Sequence, residues 1–281
     1  MTQTEQKELM LAACKVRIGI IEGTHAAKAG HPGGSLSAAD LFTYLYWKEL
    51  RVDPKNPQWE DRDRFVLSKG HTAPGLYAAL AHQGFFPVED LLTLRHIGSY
   101  LQGHPNMNSV PGVDMSTGSL GQGISAAAGM ALAAKLQKKD CRVYTLLGDG
   151  EIQEGQVWEA FMFAHHYKLD NLCAVIDNNG LQIDGPVAQV MNPYPIPEKL
   201  RAFGWEVREI DGHDFAQMET AFAAARETKG RPFAILMNTT KGKGVSYMED
   251  NADWHGKAPN DQEFEIAMTE LKARLAEVEA M

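Results

Sequence analysis

Two stretches decide the fold: RVYTLLGDGE at residues 142–151 and LCAVIDNNGL at residues 172–181. Each is a short apolar run ending in a turn-forming cluster. The first closes on Gly148-Asp149-Gly150-Glu151, the second on Asp177-Asn178-Asn179-Gly180-Leu181. Apolar runs that do not alternate belong to strands buried on both faces, and such strands interleaved with helices form a parallel sheet. The same rhythm continues on either side. A helix over 121–138 precedes a strand over 142–147, and a helix over 154–166 precedes a strand over 172–176. Then follow a helix over 197–203, a strand over 206–210, a helix over 214–227 and a strand over 232–237. Toward the amino terminus, Leu9, Ala12, Val16, Ile20 and Gly23 recur at helical intervals, which predicts a helix over 5–29 with a glycine stop at Gly30. A second helix is predicted over 37–50 and a short strand over 64–67, running into Ser68-Lys69-Gly70-His71. The segment 84–114, rich in Gly, Pro, Asn and His, reads as loop. Neither a linker nor a repeat interrupts the pattern. The expectation is one α/β domain over 1–281, with a doubly wound, mostly parallel sheet and helices on both faces.

Composition narrows the function. Of the 281 residues, 44% are hydrophobic and 22% charged, which excludes a disordered chain, a collagen and a coiled coil. No apolar run approaches the roughly 18–20 residues of a membrane span. Thirty-six acids against 27 bases give a net charge of −9, and no Lys/Arg-dense stretch offsets it, so no nucleic-acid partner is expected. The polar, acidic segment Met1 to Met10 has the character of neither a secretory signal nor a transit peptide. Cys14, Cys141 and Cys173 are too scattered for a disulfide framework or a zinc site. A reduced, cytoplasmic protein is expected.

In a parallel sheet, ligands bind just beyond the carboxyl ends of the strands. Asp149 therefore stands where a metal ligand belongs, and Gly150 lets the backbone approach a phosphate closely. Neighbouring strand tips would bring Asp149 and Asn179 side by side. A carboxylate, an amide oxygen and a main-chain carbonyl make an all-oxygen set suited to magnesium. Either cluster alone would pass as an ordinary turn, but two at successive strand ends point to a site. Of the ten histidines, His31, His71, His104 and His255 each adjoin Gly or Pro in loops, as donors converging on an anion would. His25, His82, His165 and His166 read as structural. A zinc hydrolase lacks its H-E-x-x-H pair here. Gly118-Ser-Leu-Gly-Gln-Gly123 is no nicotinamide fingerprint, since no apolar strand precedes it. It reads as bare backbone opening a helix and meeting a planar ring.

The Gly148-Asp-Gly turn with its paired asparagines resembles the thiamine diphosphate motif. Around it, Ala29-Gly-His-Pro-Gly-Gly34, Ser68-Lys-Gly-His71, Gly103-His-Pro105, Thr117-Gly-Ser-Leu-Gly-Gln-Gly123 and Trp254-His-Gly-Lys257 resemble the successive motifs of transketolase, in that family's order. The likeness covers only the diphosphate-binding half of a full transketolase. It implies an amino-terminal subunit of a split enzyme, with the corresponding thiamine diphosphate-binding fold.

Carried over residue by residue, the resemblance implies that Asp149, Asn179 and the Leu181 carbonyl hold Mg²⁺, with Ca²⁺ or Mn²⁺ able to substitute. The Gly150 amide, His71 and His255 would contact the diphosphate, with Lys241 nearby. Gly118, Ser119 and Leu120 would form the loop against the aminopyrimidine; Ser119 departs from the proline many members carry. His31, His104 and His255 would reach the sugar and move protons, and Glu154 would join the two halves of the active site across the interface. The pyrimidine-binding half is missing, so the chain would act only with a carboxy-terminal partner subunit, as an α2β2 heterotetramer. The implied reaction moves a two-carbon ketol unit from a ketose phosphate to an aldose. The diphosphate-binding half of a 2-oxo acid decarboxylase or oxidoreductase, and a noncatalytic scaffold, remain as alternatives.

Overall fold

The computed structural model describes residues 1–281. In chain order its main elements are α1 (Gln3–Ala27), α2 (Pro32–Ser37), α3 (Ala39–Tyr44), β1 (Arg64–Leu67), α4 (Ala73–Gln83), α5 (Gln122–Leu136), β2 (Val143–Gly148), α6 (Gly155–His166) and β3 (Leu172–Asn178). They continue with the short hairpin β4 (Leu181–Gln182) and β5 (Gly185–Pro186), then α7 (Val187–Val190), α8 (Ile196–Ala202), β6 (Glu206–Asp211), α9 (Phe215–Glu227), β7 (Phe233–Asn238) and α10 (Asp261–Ala280). The main sheet has five strands in the order β1-β2-β3-β7-β6, all parallel. Alternate residues of each strand feed two apolar layers. Tyr144 and Leu146 of β2 enter a layer shared with α1, α3, α4 and α9. Val143 and Leu147 enter the other, shared with α5, α6 and α8. Helices thus cover both faces, as the unbroken apolar runs require.

The register places the functional clusters. Gly148 is opposite Asp177 across β2 and β3, and Asn178 is opposite Asn238 across β3 and β7. β3 runs two residues past its expected end, so Asp177 and Asn178 are strand residues rather than turn residues.

Three expectations need correction. The helix expected over 37–50 begins earlier, at Pro32, whose fixed φ suits a first helical turn. It breaks at Ala38 (φ −94°, ψ 1°), next to Ser37, whose hydroxyl donates to Asp177 Oδ2 at 2.5 Å, and its last turn, Leu45–Glu49, is a π-helix. β6 is only partly buried: it is the sheet edge, giving Val207 and Ile210 to the two apolar layers while Arg208, Glu209 and Asp211 are exposed. Finally, α4 and α10 have no counterpart in the pattern read from sequence. α10 packs along α1 and starts with a capping box, Asn260 with Glu263, that the N-x-x-E spacing already encodes.

Candidate active site

β2 and β3 deliver two aspartates to one floor, and the two differ sharply in company. Asp177, fully buried, is ion-paired with Lys69 and also accepts from Ser37 Oγ at 2.5 Å, Asn179 Nδ2 at 3.0 Å and the Thr239 hydroxyl. Burial pushes its carboxyl up, but Lys69 and these donors outweigh it and hold it below the usual carboxylate range. Asp149 has only backbone partners, the amides of Gly150 at 2.9 Å and Gly180 at 2.6 Å. Burial and then the neighbouring Asp177 charge raise it to about 6. It is a buried carboxylate without a side-chain cation, and an oxygen-seeking divalent ion would relieve it. Asn179 is fixed beside it: its Oδ1 accepts from Leu181 N at 3.1 Å, completing a turn that leads into β4.

Above the floor, donors crowd together. The rings of His31, His71 and His255 lie 5.0–5.6 Å apart, centroid to centroid. Burial comes first for all three and keeps them neutral: with Arg95, His104 and Lys241 it brings His31 to about 4, with Lys241, His31 and Lys69 it brings His255 to about 3, and with Lys69, His255, His31 and Lys241 it holds His71 well below its usual value. Burial and Lys69 likewise lower Lys241 to about 8. Its ammonium donates to the Leu181 carbonyl at 3.2 Å and to His255 Nδ1 at 3.1 Å. That second bond leaves His255 Nε2 as the protonated nitrogen. His31 Nδ1 is buried with no partner at all. One wall short of a cation and another short of an anion suit a metal-bound diphosphate in both charge and hydrogen-bonding capacity.

These residues line one cavity of about 200 Å³, formed among others by His71, Leu120, Asp149, Gly150, Glu154, Asn179, Leu181, Lys241 and His255. His31 abuts it through the other two histidines. His104 does not line it; it is exposed, its ring packed against Gly118, and its loop is anchored by Tyr77 Oη donating to the His104 carbonyl at 3.1 Å. Gly118 and Ser119 likewise stay on the rim, and only Leu120 of their loop reaches the cavity. A Cβ on Gly70 would come within 2.9 Å of the Gly118 nitrogen, so this loop presses on the turn that carries His71. A larger cleft, about 590 Å³, opens among Arg51, Asp63, Lys135 and Asp170 at the amino ends of the strands. Its charges are largely paired with one another, Arg51 with Asp63 and Lys135 with Asp170, so it offers less chemistry than the smaller cavity.

Three contributors escape sequence reasoning. Lys69 stands inside the Ser68-Lys-Gly-His71 motif with no role assigned to it, although a lysine following a strand beside a candidate carboxylate is a signal. Glu151 reads as the end of a turn, yet it is buried and accepts from the Ser68 hydroxyl, Gly121 N and Gly148 N, tying three loops together. Arg95 lies beside His31 and His104 and lowers both. Only the chain's tertiary path brings it there.

Residues 9–276 match the family model described as transketolase, thiamine diphosphate binding domain. The chain belongs to the transketolase family. It is 44% identical over 268 residues to the 6-deoxy-6-sulfo-D-fructose transketolase subunit SqwG of Clostridium sp. (strain MSTE9), covering 95% of this chain and 98% of that one. It is 44% identical over 271 residues to an apulose-4-phosphate transketolase subunit of Phocaeicola vulgatus, covering 96% of each. Among solved structures, the transketolase of Campylobacter jejuni superposes with a TM-score of 0.89 at 32% identity, over 99% of this chain and 46% of that chain. The chain therefore spans under half of that solved transketolase, but nearly all of relatives named as subunits.

Proposed function

We propose that this transketolase-family chain is the diphosphate-binding subunit of a split transketolase, completed by a second chain that carries the pyrimidine-binding half. The observation that carries the reading is the unequal pair of aspartates, one neutralised by Lys69 and the other left with room for a metal. Asp149, the Asn179 side-chain oxygen and the Leu181 carbonyl would hold Mg²⁺, or Ca²⁺ or Mn²⁺ in its place. The Gly150 amide, His71 and His255 Nε2 would donate to the diphosphate, with Lys241 supplying charge, and Gly118, Ser119 and Leu120 would back the aminopyrimidine.

Bound thiamine diphosphate supplies the nucleophilic carbon that takes up the two-carbon unit. This chain's own part is to bind, orient and move protons. Neutral His31 could accept or donate at a sugar hydroxyl, while His255, its Nδ1 taken by Lys241, could only donate there through Nε2–H. His104, at the rim beside Gly118, would meet the substrate as it enters.

Support for a partner comes from apolar side chains around the mouth. Leu120 is 39% and Ile183 69% exposed, both on the cavity's edge, and Glu154 stands on its wall. Exposed apolar groups around a polar cavity mark a surface that another chain covers. The two relatives named as subunits support the same arrangement, and an α2β2 assembly of single-domain subunits in the cytoplasm is the form we propose. No helix is long and apolar enough to cross a membrane. A sugar phosphate or similar anionic ketose is the substrate class proposed.

The test is an assay of the purified chain, alone and with its partner, against ketose phosphates and against pyruvate. Ketol transfer by the pair and none by the chain alone supports the reading. Turnover of pyruvate instead would assign the chain to an oxo-acid enzyme, and cofactor binding without turnover would make it a scaffold.

A further inference from the structure

Lys241 lies in a tight turn between Asn238, at the end of β7, and Gly244, and two side chains clamp that turn on either side of it. His213 Nε2 accepts from Thr240 N at 2.9 Å, and Arg17 Nε donates to the Lys243 carbonyl at 3.1 Å. Both clamps converge on one carboxylate. Arg17 donates to Asp40 Oδ1 at 2.9 Å and Oδ2 at 2.6 Å, a two-pronged pair, and His213 Nδ1 is 2.7 Å from Asp40 Oδ2. Arg17 and Asp40 are buried, and neither touches the cavity described above.

The direction of these bonds follows from elementary hydrogen-bond logic. An imidazole nitrogen that accepts from a backbone N–H carries a lone pair, so the proton of neutral His213 is on Nδ1. A carboxylate opposite Nδ1 enforces that tautomer, because it can only accept. We propose that Asp40 is a positioning residue for Lys241: by fixing the tautomer of His213 and the fork of Arg17, it holds residues 240–243 so that the Lys241 ammonium meets His255 and the Leu181 carbonyl. Burial alone would push the Asp40 carboxyl up, but Arg17 and His213 outweigh it and hold it at about 2, so it remains an acceptor throughout the physiological range. The turn has little slack to compensate. A Cβ on Gly242 (φ +79°) would come within 2.2 Å of the Met248 carbonyl, and Gly242 N is already bonded to the Gly33 carbonyl at 2.9 Å.

The inference concerns the geometry of the turn, and only its consequence for cofactor affinity rests on the diphosphate reading. In Asp40→Leu, of similar shape and without an acceptor, nothing opposite Nδ1 fixes the His213 proton there, and a proton moved to Nε2 faces the Thr240 N–H donor to donor. Long-range ¹H–¹⁵N spectra of the histidine-labelled full chain, with His213→Gln locating the His213 signals, read the tautomer directly. The expected result is an Nδ1–H tautomer in the native chain and a mixture of the two tautomers in Asp40→Leu. Thr240 amide exchange should then quicken by about tenfold or more, as for a bond that opens locally. With the partner subunit present, affinity for magnesium thiamine diphosphate should fall on the order of tenfold or more, as when a group behind a ligand is removed. His213→Gln, which keeps an acceptor for Thr240 N, should retain more affinity than His213→Phe; a ring that merely fills space would give the reverse order. An Nε2–H tautomer in the native chain, needing no variant to observe, overturns the proposal. So does an Asp40→Leu chain with unchanged Thr240 exchange. If the native pair takes up no cofactor while the tautomer and exchange results hold, the diphosphate reading fails and the clamp stands.

Discussion

Lys69 neutralises Asp177 and leaves Asp149 without a cation, although the two aspartates close adjacent strands of one sheet. A difference in one neighbour gives two chemically like side chains opposite tasks. Asp177 becomes part of the scaffold, bracing Ser37, Asn179 and Thr239 from three different segments, while Asp149 keeps its negative charge available.

Breaking the scaffold pair should therefore cost stability rather than binding alone. Lys69→Met leaves Asp177 charged in a dry interior, and removing one partner of such a pair costs about 3–5 kcal/mol. The urea midpoint should fall accordingly. The double variant with Asp177→Asn should lose clearly less than the sum of the two single losses. Equal, additive losses would show that the two side chains do not depend on each other.

The histidine cluster predicts a pH dependence. His31, His71 and His255 all have pKa values below the ordinary 6.5 in the folded chain, because burial and neighbouring positive charges disfavour their protonated forms. Above pH 6.5 they are neutral whether the chain is folded or not. As the pH falls from about 6.5 toward 4, the unfolded chain takes up protons that the folded cluster refuses, so stability is lost across that window. Urea titrations at pH 7.5, 6 and 5 check this. His255→Asn should lose less stability than the native chain between the first and last of these, whereas an unchanged slope would mean that the cluster titrates normally.

Gly33 joins the helix carrying His31 to the turn carrying His255. A Cβ there would approach the Trp254 carbonyl to 2.7 Å, against backbone that cannot swing aside. Gly33→Ala should lower stability by roughly 1–3 kcal/mol and, by forcing the two histidines apart, should weaken cofactor uptake more than that loss alone explains. Thermal unfolding and a cofactor titration of the assembled enzyme would show both effects. A variant with native affinity would separate the histidine spacing from binding.

Most of the sheet is legible in the sequence because its strands are buried on both faces: an unbroken run such as LCAVI admits few other readings. The edge strand β6 is visible too, but as an interior strand, since Val207 and Ile210 sustain an apolar impression that only its place in the sheet corrects. α2 and α3 merge in the sequence pattern because the break between them is a local change at Ala38 (φ −94°, ψ 1°), next to Ser37, whose hydroxyl reaches Asp177 on a strand far along the chain. No periodicity records such a contact. At the site, Asp149, Asn179 and the glycine-bounded histidines announce themselves through residue type and loop position. Lys69, Asp40 and His213 do not, since their importance lies in partners 108, 23 and 27 residues away in sequence.

The most direct test of the central claim is a calorimetric titration of thiamine diphosphate into the chain with its partner subunit, with and without magnesium, for the native protein and for Asp149→Asn. Asp149→Asn removes a buried charge but turns an NH2 toward one of the two backbone amides that Asp149 accepts from, so an unfolding curve of the ligand-free variant accompanies the titration and separates lost binding from lost folding. Magnesium-dependent uptake by the native pair, absent from the variant, is the result predicted. Uptake that ignores magnesium, or that Asp149→Asn leaves intact, would contradict the account.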